Sequence, residues 1–128
     1  MTMRELVLKN RSYRRFHQEV SVEYETLRGL VNLARLSASA GNHQPLKYIL
    51  SCNPEKNAVI FPQLGWATYL KDWPGPPEGE RPSAYIIVLG DKTIRESFSW
   101  DHRRFQFLLR KTLIFEHLLL HKNARMVR

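Results

Sequence analysis

Apolar residues recur at helical spacing through Leu27, Leu30, Val31, Ala34 and Ala38, which predicts a helix over about 22–38. Ser21 stands where an N-cap belongs, and Glu23 and Glu25 fall in the first turn, where the helix dipole favours carboxylates. A shorter helix is predicted from Thr2 to about Leu8, opened by the capping-box spacing of Thr2-Met3-Arg4-Glu5, with Leu6 as its inward residue. Residues 9–19 are polar connecting chain. After the long helix, Gly41 and Pro45 break the pattern and leave 42–44 as loop. Residues 47–52 read as a strand, 53–57 as a turn, and 58–61 as a second strand or its remnant. Leu64, Ala67 and Leu70 return to helical spacing and predict a helix over about 62–73, with Pro62 in its first turn. Residues 73–82 hold four prolines and two glycines, so they read as a long surface loop of the kind that often carries function. The unbroken apolar run 84–90 predicts a central strand covered on both faces. From Asp101 to about His121, Phe105, Leu108, Leu109, Leu113, Leu119 and Leu120 form a broad apolar stripe opposed by Arg103, Arg104, Arg110, Lys111 and Lys122. The order of elements predicts an α+β or α/β domain with helices packed on a small sheet.

Composition changes this picture little. The chain has 128 residues, 43% apolar and 25% charged, as an ordinary globular domain of one core does. Cys52 is the single cysteine, which excludes a disulfide framework and a cysteine metal pair and makes a reducing, cytoplasmic setting the expectation. No apolar stretch of signal-peptide or membrane-span length is expected. The net charge of +8 resembles a nucleic-acid signal. Its distribution argues against one: residues 1–100 hold 13 basic and 10 acidic residues, and 101–128 hold 7 and 2, so the excess is largely a tail property.

Two segments carry candidate chemistry. Arg11-Ser12-Tyr13-Arg14-Arg15 offers three guanidinium forks and a hydroxyl, the groups that grip a phosphate in bidentate fashion. Ser37-Ala38-Ser39-Ala40-Gly41-Asn42-His43-Gln44-Pro45 is a run of small residues that admits a ligand close to the backbone, ending in two amides that read polar edges. Together they suggest a site for a phosphorylated, flat, polar-edged cofactor.

The order of helix, Arg-Ser-x-Arg, helix, small-residue loop with Asn-x-Gln-Pro, and strand resembles the nitroreductase family of flavin-dependent oxidoreductases. The resemblance rests on Arg11-Ser12-Tyr13-Arg14-Arg15-Phe16 and on the stretch from Ala34 to Leu46, with Trp100-Asp101-His102 similar to the start of the family's next motif. It covers roughly residues 1–102. It implies an α+β, nitroreductase-like fold: a small central sheet flanked by helices in a single domain. It also implies a homodimer binding FMN between subunits and passing hydride from NAD(P)H to a nitroaromatic, quinone or similar acceptor. Carried over, Arg11, Ser12 and Arg14 would contact the FMN phosphate and ribityl chain. Asn42 and Gln44 would face the ribityl or the isoalloxazine edge, with Ser39 nearby. Leu46 stands where the family has Trp, and Asn10 where a first arginine is usual. After His102 the family's Gly-rich segment, interface helix and C-terminal arm have no counterpart, so the chain reads as truncated at its C-terminal end, with a divergent basic tail over 103–128.

Plainer readings stand beside these. Clustered arginines near a helix start are ordinarily solvated or ion-paired, and an Asn-x-Gln-Pro loop alone is usually a helix terminator. His117 and His121 are spaced i, i+4 without a third ligand, so no metal site is expected. Cys52 reads as a small buried hydrophobe in a strand. Trp66 or Trp73 could stack on a substrate above the flavin. The rival functions are a non-catalytic remnant that self-associates through its tail helix, and a basic module for nucleic acid or other anions.

Overall fold

In a computed structural model of the chain, residues 2–9, 13–67 and 69–98 are described. Arg11, Ser12, the side chain of Leu6, the Trp100-Asp101-His102 motif, the apolar stripe of 101–121 and the His117/His121 pair lie outside the described residues. The described chain falls into two compact units, one of residues 2–9, 30–46 and 91–98, the other of 13–29, 47–67 and 69–90. Its class is α+β: three α-helices, two short 3₁₀ turns and one two-stranded sheet among the described residues.

Helix α1 spans Met3–Lys9 and opens on the expected capping box. The Thr2 N–H donates to Glu5 Oε2 at 2.7 Å, and the Glu5 N–H donates to Thr2 Oγ1 at 3.3 Å. The first of these bonds, from the Thr2 backbone, is the main reason the Glu5 carboxyl titrates below its ordinary value.

Helix α2 spans Tyr24–Arg35, shorter at both ends than its apolar spacing suggests. The first backbone bonds run to the Glu23 carbonyl, from Thr26 and Leu27, so the helix opens at Glu23 and not at Ser21. It stops because Ser37 takes the Ala34 carbonyl twice, through its amide at 3.1 Å and its hydroxyl at 2.6 Å. Leu27, Leu30 and Ala34 form the buried stripe as expected. Val31 is half-buried, and Ala38, beyond the helix end, is exposed.

Strand β1, Leu46–Ser51, matches its expected position. Leu46, Tyr48 and Leu50 are half-buried while Lys47 and Ile49 are exposed, the alternation of a strand with one covered face. Strand β2, Tyr85–Gly90, pairs with it. The Asp91 N–H just after β2 donates to the Pro45 carbonyl just before β1 at 2.8 Å, which fixes the pair as antiparallel. The expectation of a central strand covered on both faces is corrected. A two-stranded sheet has no centre, and β2 is half-buried over residues 85–88 and exposed at Leu89 and Gly90.

Two further expectations fail between the strands. Residues 53–61 are not a turn and a strand but helix α3, Pro54–Ile60. Asn53 is its N-cap: the side-chain Oδ1 accepts from the Glu55 and Lys56 amides at 2.9 and 3.1 Å, and Pro54 follows at N1. The inward face of α3 is polar, which hides its helical period. Buried Asn57 accepts from Ser51 Oγ and donates to the Ser83 carbonyl, both at 2.7 Å, while Val59 points to solvent. Asn53→Ala is expected to lower stability by about 1 kcal/mol, read as a shift of the urea midpoint without change of slope.

The helix expected over 62–73 is also absent among the described residues. A 3₁₀ turn at Phe61–Gln63 ends at Leu64, whose backbone is extended. The chain then runs irregularly, because Trp66 is drawn out of any helical register into a tertiary aromatic cluster.

Candidate functional site

Ser39, Asn42 and Gln44, three of the expected site residues, are brought together in one loop. A 3₁₀ turn at Ala40–Asn42 carries Gly41 at φ 61°, and Asn42 and Gln44 follow it into the left-handed region at φ 54° and 49°. Three left-handed residues in four are held by specific bonds. Ser39 Oγ accepts from the Gln44 amide at 3.1 Å, and the Asn42 amide donates to the Ser39 carbonyl at 3.0 Å. Gln44 Nε2 donates to Asn42 Oδ1 at 3.1 Å, so the two amides are coupled. Gly41 is required by its φ, and a Cβ there would sit 2.8 Å from the His43 ring, which would have to turn aside.

Pro45, fully buried, pins the loop to the start of β1, whereas residues 41–44 are exposed. Asparagine tolerates left-handed backbone better than most residues, but Gln44 does so at a cost of about 1–3 kcal/mol, a strain found most often at functional positions. Beyond the bond that couples them, the pair presents Asn42 Nδ2 as a donor group and Gln44 Oε1 as an acceptor, and Gln44 Nε2 keeps a second N–H.

In the second unit the residues that follow Arg14 and Arg15 are tied to the proline-rich loop. The Phe16 amide donates to the Glu80 carbonyl at 2.9 Å, and the Gln18 amide donates to the Gly79 carbonyl at 3.4 Å. Gln18 Oε1 accepts from the Gly79 and Arg81 amides at 2.8 and 3.2 Å, while its Nε2 donates to Glu78 Oε1 at 2.6 Å. Arg15 Nε lies 3.3 Å from Glu80 Oε2 and is the compensating charge for that buried oxygen, which lacks a hydrogen bond. Arg14 is exposed in this segment.

The loop of 73–82 is irregular, as expected, but Gly75 and Pro76 are buried. Trp66 is not poised above an open face. It packs against Phe16, Phe61 and Trp73, with centroids 5.5–6.4 Å apart, and over Gly75. Arg81 stacks on Phe61 at 4.2 Å and bonds Glu78 Oε2 at 2.6 Å. Burial pushes the Tyr85 hydroxyl above the ordinary phenol range, partly offset by Arg81, so it stays protonated and able to donate through the physiological range.

Cys52 follows β1 and is half-buried rather than a strand core residue. Among the described residues no group of three or more His, Cys, Asp or Glu is arranged to hold a metal, and no helix is long and apolar enough to cross a membrane. The Gln18 contacts with 78–81 had no local signal in the sequence, since some sixty residues separate the partners.

No protein-family model matches the chain, and no curated protein matches it. Among solved structures it is similar to an enone reductase catalysing a key step of a gut-bacterial fatty acid saturation metabolism, biohydrogenation. The TM-score is 0.53 and the identity 20%, over 94% of this chain and 57% of that one. The two share a fold, and the chain spans little more than half the length of that reductase.

Proposed function

We propose that the chain is the cofactor-binding part of a nitroreductase-like flavin oxidoreductase that works as a homodimer. The observation that carries this reading is the coupled amide pair of Asn42 and Gln44, exposed on a strained loop held by Ser39 and Pro45. A donor beside an acceptor suits the edge of a flat heteroaromatic ring, where N–H and C=O groups alternate. The likeness in fold to a reductase supports the same direction. Arg14, with Arg11 and Ser12, would hold the FMN phosphate by charge-assisted bonds. Asn42, Gln44 and Ser39 would hold the ribityl chain and ring edge. The chemistry supplied there is FMN's own, hydride transfer from NAD(P)H and onward to a nitroaromatic, quinone or similar acceptor.

FMN fluorescence titration tests the site. The wild type should quench FMN saturably, and Asn42→Gly should weaken binding about tenfold, the loss of one good polar contact. Glycine accepts the left-handed backbone at 42, so the amide is removed without straining the loop. An Asn42→Gly protein that binds FMN as tightly as the wild type would remove the loop from the site.

A further inference from the structure

Resting on the flavin reading, we infer that Gln18 is a positioning residue that sets Arg14 for the cofactor phosphate. Arg14 sits on irregular chain. A clasp holds that chain at residues 16 and 18. The alternate amides of Phe16 and Gln18 donate to the carbonyls of Glu80 and Gly79, and the Gln18 side chain bonds three groups of residues 78–81.

The orientation of the Gln18 amide is dictated by its surroundings. The oxygen must face the two backbone N–H groups and the NH₂ must face the Glu78 carboxylate, so one side chain satisfies both polarities at once. Glu78 also receives Arg81, which stacks on Phe61, which packs on Trp66, which packs on Phe16. The network therefore closes on itself two residues from Arg14. A long guanidinium side chain on an unheld segment would lose rotamer and backbone freedom on meeting a phosphate, and a pre-set one loses less.

Comparing FMN with riboflavin separates this role from general destabilisation, because only FMN carries the phosphate. Gln18→Met keeps the volume and removes the three side-chain bonds. It is expected to weaken FMN about tenfold, the loss of an optimal charge-assisted contact, while riboflavin affinity stays within about twofold. In an Arg14→Met background the same change should add nothing further, since the contact it positions is gone. The paired swap Gln18→Glu with Glu78→Gln preserves the acceptor toward the Gly79 and Arg81 amides and restores a donor at 78. It should recover FMN affinity to within about twofold of the wild type and serves as the informative variant if Gln18→Met does not fold. Equal loss of FMN and riboflavin in Gln18→Met, or no recovery in the swap, overturns the role of Gln18 alone. A wild type that binds neither flavin overturns the cofactor reading and this role with it.

Discussion

Leu27→Ala should lower the unfolding free energy by about 2–5 kcal/mol, the range for emptying a leucine-sized volume in a packed interior. Leu27 is 2% exposed and leads the stripe completed by Leu30 at 3% and Ala34 at 5% on the same helix. Urea unfolding reads it directly. Leu33→Ala on the same helix, at a position 54% exposed, is the control and should change stability by no more than about 0.5 kcal/mol. Equal effects at the two positions would contradict the assignment of the buried face.

Gly75→Ala should cost about 2–4 kcal/mol, through two effects that act at the same carbon. The backbone there has φ 112°, which an L side chain adopts only with strain, and the new Cβ would lie 2.5 Å from Trp66 Cδ1 and 2.7 Å from Nε1. The indole cannot swing away cheaply because Phe16, Phe61 and Trp73 surround it. Gly79→Ala separates the two effects. It has φ 90° but nothing within 4 Å of its Cβ, so it should carry the strain without the clash and cost roughly half as much. Tryptophan emission offers a second readout: the Gly75 variant should shift it and the Gly79 variant should not.

Where local chemistry is self-sufficient, the fold was legible in the sequence. The Thr2–Glu5 capping box, the Leu27-Leu30-Ala34 stripe and strand β1 each follow from residues within a few positions of one another. Local pattern misleads where a distant partner decides. Helix α3 was obscured because its inward residue is Asn57, satisfied by Ser51 and Ser83, although Asn53-Pro54-Glu55 is a helix-start signature in its own right. The spacing of Leu64, Ala67 and Leu70 imitates a helix, but the aromatic cluster around Trp66 outweighs so weak a propensity. The apolar run ending at Gly90 suggested a doubly covered strand, since an unbroken run does not reveal how many strands will flank it.

The candidate site divides along the same line. Ser39, Asn42 and Gln44 were recognisable because small residues, a glycine and a proline dictate a tight loop within one short segment. The clasp of Gln18 on residues 78–81 was not, because a glutamine in polar connecting chain has no period or spacing that distinguishes it.

The most direct test of the flavin reading is the visible spectrum of the purified protein after incubation with FMN and desalting, followed by anaerobic addition of NADPH. The expected result is a yellow protein holding one FMN per chain that bleaches on reduction. A colourless protein that takes up no FMN would contradict it.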